Sequence, residues 1–460
     1  MTHKRSHSTS PKTAKTLEVT LPLVHPHAAG LDIGASEIWA CAPTTATTLT
    51  VQSFGTFTPD LEALAKWLKA AGVDTVAMES TGVYWIPAFE ILEAAGLEVY
   101  LVNARHLQNV PGRKSDVQDC QWLQRLHRHG LLRASFHPEA EMRALRAYLR
   151  QRAMLVEYRA AHIQHMQKAL HQMNVQLTQV LSDITGVTGL AIIRAIVAGE
   201  RNPVTLAQWR HPRCQSSTDD IAKALTGNYR AEHVFALQQA LALYDFYTQQ
   251  MHTCDQQIEQ QYSVLKPSRE AELPPLPPDP KVNSHSKNAP DFDVRGHLYR
   301  LTGVDLTQVD GLDDSSVQTI LAEIGTSMSK WPTVKHFCSW LGLAPHHTIT
   351  GGKVLQSHTL PVHNRAAQAL RLAAQSLHRS QSALGAFYRR MRARLGGEQA
   401  IVATAHKLAR IIYYLLKHQV AYQPLSAEAY QQRQHDHELK ALQRKASHLG
   451  YSLTQLPAQS

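Results

Sequence analysis

Between residues 17 and 130 the chain alternates short apolar runs with helical patterns, in an order that restricts the fold. AAGLDIGA and EIWACAPT read as two strands joined tightly through Gly34 to Ser36, and TVQSFG reads as a third. PDLEALAKWLKAAG then spaces leucine and alanine at helical intervals and stops at a glycine. DTVAMES is a further strand, VYWIPAFEILEAAG a helix and LEVYLVN another strand. The order β-β-β-α-β-α-β followed by a helix predicts a mixed sheet flanked by helices, an α/β domain over residues 17–135.

From Glu139 the pattern changes. Met142, Leu149, Val156, Ile163, Leu170 and Leu177 recur every seven residues, with Leu145, Met166, Met173 and Val180 on the adjacent seam and Arg152 and Arg159 interrupting it. This spacing predicts a helical coiled-coil arm over residues 136–265. Its second helix runs from about Ala231 to Leu265, with Leu237, Leu241, Tyr244, Met251 and Ile258 on one stripe. The two helices either fold back on each other or pair between subunits. Residues 266–295 are rich in proline, serine and asparagine and read as a flexible linker or surface excursion. A mainly α C-terminal domain follows over 296–425, and 1–16 and 426–460 read as polar tails. Within that domain LTQVDGLDDSSVQTILAEIG has the look of a helix-hairpin-helix, whose glycine turn and helix N-terminus could approach a phosphate backbone. An ordinary helical hairpin fits the same residues.

Charge narrows the partner. Lysine plus arginine outnumber aspartate plus glutamate by 47 to 37, a formal +10 before any contribution from 27 histidines. That balance favours a polyanion. No apolar run of membrane-spanning length occurs, and the polar start MTHKRSHSTSPK has no signal-peptide pattern, so a cytosolic, nucleic-acid-facing protein is expected with no membrane partner. The five cysteines are scattered without a CxxC pair, which argues for reduced, mostly buried thiols. His346, His347, His358 and His363 lie close in sequence but lack the spacing of a zinc site.

Carboxylates mark the candidate chemistry. Asp32 sits inside a predicted strand and Glu79 at the end of another, places where an unpaired charge is costly. Asp116 and Asp119, in GRKSDVQDCQWL, share one helical face at a helix start. Each has a plainer reading. The two aspartates suit the first turn after a capping Ser115, Glu79 could pair with an arginine, and LDIG, with Asp32, could be a strand end with a turn. In this order of strands and helices, however, four oxygen donors can hold two hard cations, which activate an attacking oxygen and stabilise a leaving one.

LDIGAS, AMESTGVYW and GRKSDVQDCQWL, in this order and spacing, resemble the DEDD transposases of bacterial insertion sequences, whose N-terminal domain is RuvC-like with an RNase H-like fold. GLAPHHTITGGKVLQSHTLPVHNRAAQALRLAA resembles their C-terminal transposase domain. The resemblance implies that Asp32, Glu79, Asp116 and Asp119 are a metal-binding tetrad for Mg2+, two ions, with Mn2+ as a substitute. It also implies a bacterial, nucleoid-associated homo-oligomer, a dimer or tetramer. Such a recombinase acts on DNA with a structured noncoding bridge RNA and exchanges strands without a free double-strand break.

Arg113 and Lys114 beside the tetrad, and Arg365 and Arg371 further on, are candidate phosphate contacts. So are the arginines of the first long helix, Arg143, Arg146, Arg150, Arg152 and Arg159, although a solvated face explains many of them. In HHTITGGKVLQSHT, Gly351 and Gly352 permit positive φ or close approach of a phosphate, and Lys353 can neutralise it. The segment otherwise reads as a plain turn between helices. In the related transposases the residue before the glycine pair is commonly a serine that attacks DNA. Here it is Thr350, with the same hydroxyl and a methyl that stiffens χ1. Ser357 is the alternative nucleophile, and a copy impaired in strand exchange is the third reading. The rival functions are a RuvC-like junction nuclease using water, a sugar-kinase or actin-like ATPase suggested by LDIGAS, and a transposase-derived non-catalytic DNA-binding protein.

Overall fold

Three strands open the first unit as an antiparallel meander: β1 (Ala28–Ile33), β2 (Glu37–Pro43) and β3 (Leu49–Gly55). The computed structural model describes residues 21–44, 48–80, 82–103, 115–267, 273–278, 287–359, 362 and 364–454. The chain divides into units 1–137 and 138–460. In the first, α1 (Thr58–Ala70), β4 (Thr75–Glu79), α2 (Trp85–Ala94), β5 (Glu98–Val102) and α3 (Asp116–Arg128) follow the meander. β4 runs parallel to β1 and β5 parallel to β4, giving the sheet order β3-β2-β1-β4-β5.

Strand alternation divides the sheet's side chains between two covers. Leu31, Ile38, Val76 and Met78 are buried with Leu61, Leu64, Leu68, Phe89 and Leu92 of α1 and α2. Ala77 and Val102 are buried with Leu123 of α3 and Leu132. Each fully buried leucine contributes about 1.5–3 kcal/mol against exposure. The expected mixed sheet flanked by helices is therefore present, and its strand order is consistent with a RuvC-like, RNase H-like fold.

In the second unit, α4 (Ala140–Gln172) and α9 (Ala231–Val264) pack along each other as an antiparallel pair. Gln261 Nε2 donates to the Glu141 carbonyl at 3.0 Å near one end, and Arg159 Nη1 to Thr248 Oγ1 at 3.4 Å further along. The two long helices thus fold back within one chain. Arg152, which breaks the heptad, is buried and paired with Asp255 of α9, so the interruption is a polar lock inside the seam. The seam also ends sooner than the spacing suggests. Asn174 takes φ 56°, and Leu177 and Val180 belong to a separate short helix, α5 (Leu177–Val180). With α6 (Val187–Val197), α7 (Pro203–Ala207) and α8 (Thr218–Ala224) it builds a small helical head. Leu170, Leu177, Ile193, Leu206, Ile221 and Leu237 form its core.

The proline-rich segment is not free where it is described. Tyr299 Oη donates to the Pro274 carbonyl at 2.9 Å, and Arg295 Nη2 to that of Pro277 at 2.8 Å. Both donors lie on α10 (Val294–Thr302), so the segment read as a flexible linker or surface excursion is fastened to that helix over 273–278. Next come α11 (Asp314–Ile324), α12 (Val334–Trp340), a hairpin of β6 (Pro345–Thr350) and β7 (Lys353–Thr359), then α13 (Arg365–Ser376), α14 (Ala383–Leu395) and α15 (Gly397–His418). The segment read as a polar C-terminal tail contains a helix, α16 (Ala427–His448), which packs on α14 and buries Tyr430.

Candidate active site

Asp32 of β1 and Glu79 of β4 lie on adjacent parallel strands, one step past the paired Leu31 and Met78. Asp116 and Asp119 occupy the first turn of α3, which starts where Ser115 Oγ accepts the Gln118 N–H at 3.4 Å. The capping role read from the sequence is therefore real, and it does not displace the other one. α3 lies so close to β1 that a Cβ on Gly30 would stand 2.3 Å from the Cys120 carbonyl oxygen and 2.3 Å from the Gln124 nitrogen. Gln124 Nε2 also donates to the Ala28 carbonyl at 3.1 Å, a buried bond. Gly30, two residues before Asp32 and so on the same face of the strand, admits the helix that carries the two aspartates. Its importance was not visible in LDIGAS, because close approach of a distant helix leaves no local pattern.

The electrostatics follow from this gathering. Burial, then the charges of Asp116, Asp119 and Glu79, push the Asp32 carboxyl from 3.8 to about 6. Like charges that hold one another's protons on are a common mark of functional sites. The donor set suits a hard cation in kind, since all four side chains are carboxylates. Among the described residues no three histidine, cysteine, aspartate or glutamate side chains already form a group that could hold an ion. Arg113 and Lys114 lie outside the described residues.

The glycine stretch is a β-hairpin, not a turn between helices. Gly351 and Gly352 form its two-residue turn with φ 55° and 79°, both in the left-handed region that glycine tolerates without strain. Thr350 pairs with Lys353 across the turn, and His347 with Ser357 further down. The register shift between Thr348 and Ile349 leaves Leu355 as the extra residue on β7, so that Thr350 and Lys353 share one face of the hairpin and His347 and Ser357 share the other. Both candidate hydroxyls and the lysine are exposed. His347 was not foreseen as Ser357's neighbour, because cross-strand pairing shows only once the hairpin is recognised.

Other expected phosphate contacts fare differently. The glycine turn of the helix-hairpin-helix segment is closed against the protein, since a Cβ on Gly311 would meet the Ala373 carbonyl at 2.8 Å. The N-terminus of α11 is capped by Asp313, whose carboxylate accepts the Ser316 N–H at 2.8 Å, and Asp314 follows in the first turn. Two carboxylates there disfavour a phosphate. On α4, Arg146 donates to the Ala322 and Glu323 carbonyls at 3.0 and 3.1 Å, and Arg150 pairs with Glu323 at 2.8 Å. Arg159 donates to Asn288 Oδ1 at 2.7 Å. These arginines brace the unit. Arg365, exposed at the start of α13 after its cap Asn364, borders a groove of about 400 Å³ with Arg146 and Arg150. Arg371 is half-buried on the same helix.

Residues 29–175, which contain all four carboxylates, match the DEDD transposase family model of the IS110 type. Residues 305–389, which contain the hairpin and α13, match the model described as Transposase IS116/IS110/IS902 family. The chain belongs to this transposase family. The two matches together take in about half of the transposase, in the order the motifs occupy. No curated protein matches it. Membership supports DNA transposition as the general activity and DNA as the partner. No described helix of the transposase is long and apolar enough to cross a membrane.

Proposed function

We propose that this transposase cleaves and exchanges DNA strands of its own insertion sequence in a Mg2+-dependent, RNA-guided reaction, through a covalent link to Thr350. The observation that carries the reading is that the charges of Asp116, Asp119 and Glu79 all reach Asp32 at the C-terminal ends of β1 and β4, where they add to burial in raising its carboxyl to about 6. Asp32, Glu79, Asp116 and Asp119 would hold the Mg2+. When bound, the metal supplies charge neutralisation and lowers the barrier at the attacking and leaving oxygens of a phosphodiester.

The protein's own part is to present an oxygen nucleophile and manage its proton. Thr350 Oγ1 bonds to phosphorus as the bond to one sugar oxygen breaks. The threonine proton passes to water, and the departing sugar oxygen takes a proton and becomes a free hydroxyl. A phosphothreonyl ester results, and attack by a second strand's hydroxyl reverses the step. Lys353, paired with Thr350 at the turn, suits the phosphate's charge. The turn glycines place nothing within 4 Å of where a side chain would begin, leaving room for a sugar-phosphate backbone.

A second nucleophile has a specific observation in its favour. Ser357 stands opposite His347 in the hairpin register, a hydroxyl beside a candidate base. The guide RNA and the homo-oligomer rest on family resemblance. The test is a denaturing gel of purified protein, labelled element-end DNA and the element's flanking noncoding RNA. A DNA adduct that survives denaturation and disappears in Thr350→Ala supports the reading. An adduct lost only in Ser357→Ala moves the nucleophile, and strand cleavage with no adduct favours hydrolysis by water.

A further inference from the structure

A cleft of the second unit lies on α15, C-terminal to both motifs. It has a volume of about 920 Å³, and Lys407, Arg410, Tyr414 and His418 line it from one face of that helix, with Phe387 of α14 and Tyr422 after the helix. The spacing of these four residues, three or four apart, aligns them along the helix. Tyr414 is 57% exposed, a large aromatic surface that no core contact requires. Its ring centre lies 4.5 Å from that of His418 at a tilt of 45°, so the exposed Tyr414 face is the shelf open to stacking.

Cations gather at the same place, and the Asp310 carboxylate is near enough to Tyr422 to help raise its phenol. Lys407 Nζ stands 4.5 Å from the centre of the Phe387 ring, and the Arg390 guanidinium 5.8 Å from it. Among the described residues neither Lys407 nor Arg410 enters an ion pair. Burial first, then Arg390 and Arg410, hold the Lys407 ammonium below its usual range, and burial with Arg410 does the same to His406. Gathering like charges costs free energy that a polyanion would offset. Cations interleaved with exposed aromatic faces are the physical requirement for holding an unpaired nucleotide strand, whose phosphates need charge and whose bases stack. A duplex, with its bases already stacked, gains nothing from the shelf.

We propose that the α15 cleft is a single-strand nucleic-acid site, in which Lys407 and Arg410 hold phosphates and a base stacks on Tyr414. It goes beyond the strand-exchange reading and requires nothing of the carboxylates or of Thr350. A strand with unpaired bases can be RNA or DNA, and the two are separated by the probes.

The test uses the full chain with short unstructured oligoribonucleotides and oligodeoxyribonucleotides bearing 5-iodouracil, irradiated and mapped by peptide mass. A crosslink to the peptide containing Tyr414 or Phe387 is expected; RNA alone, DNA alone or both identifies the source. In titrations, Lys407→Gln with Arg410→Gln should flatten the salt dependence of binding by about 1.4, from about 0.7 per phosphate contact on a single strand. Tyr414→Leu should weaken binding about fivefold or more, while Tyr414→Phe retains it. Because Tyr414 is exposed, its variants keep the test valid if the double variant does not fold. Crosslinks confined to other peptides, unchanged binding by Tyr414→Leu, or tighter binding of duplex than of single strand would each overturn the proposal.

Discussion

Replacing Gly30 by alanine should damage the candidate site without touching a carboxylate. The new Cβ would lie 2.3 Å from the Cys120 oxygen and 2.3 Å from the Gln124 nitrogen, both backbone atoms of α3. Ordinary contact needs roughly 3.5 Å, so the helix must withdraw by about 1 Å. Overpacking of this kind costs about 1–3 kcal/mol, and the upper part applies because the obstacle is main chain. The same retreat stretches the Gln124 bond to Ala28, now 3.1 Å, and loses about 1 kcal/mol more. Urea unfolding of Gly30→Ala should therefore show a loss of about 3–4 kcal/mol. Carbon NMR of the Asp32 carboxyl should show its pKa moving down from about 6 as Asp116 and Asp119 recede, with the share due to burial remaining. Gly397→Ala is the control, because nothing lies within 4 Å of its Cβ position. If Gly30→Ala unfolds at the wild-type midpoint and Asp32 titrates unchanged, the seating of α3 is not what gathers the carboxylates.

Arg152→Ala should destabilise the chain by about 3–5 kcal/mol in urea titration because it strands buried Asp255, whereas Arg152→Met with Asp255→Leu should come close to wild type. His127 is fully buried with Nε2 2.8 Å from Thr75 Oγ1, and burial, followed by the charge of His25, lowers its pKa from 6.5 to about 4. The unfolded chain then binds the proton first, so stability is full above pH 6.5 and falls as the pH drops toward 4, by about 3 kcal/mol at most. A urea midpoint that declines over that window in wild type and is flatter in His127→Phe is the expected signature. At the hairpin turn, Gly352→Val should impair strand transfer, because a β-branched residue is strained at φ 79°, while Gly351→Asn at φ 55° should be tolerated; equal activity of the two variants would speak against a required turn geometry.

Local patterns carried much of this structure. The strands around Asp32 and Glu79 alternate or run apolar, and the helices α1 and α2 end at glycines, so their order was readable from periodicity. The order of β1 to β5 in the sheet required the fold itself. The hairpin at Thr350 was hidden because its strands are exposed on both faces and so lack a buried apolar stripe. α16 escaped for a similar reason, since its sequence is polar almost all round and only Tyr430 among the described side chains is buried. The heptad spacing announced the long helices but carried on past Asn174, where positive φ ends the helix. Of the site, the four carboxylates were legible by residue type and position. Gly30 and the pairing of His347 with Ser357 were not, because each is a contact between segments that meet only on folding.

The most direct test of the carboxylate centre is cleavage of element-end DNA by the protein with its flanking noncoding RNA, in Mg2+ and in chelator, for wild type and for Asp32→Asn, Glu79→Gln, Asp116→Asn and Asp119→Asn. Cleavage should require Mg2+ and fall in each variant by about a hundredfold or more, the scale of losing a positioned acid–base group. Wild-type cleavage rates in all four variants, with folding intact, would contradict the assignment.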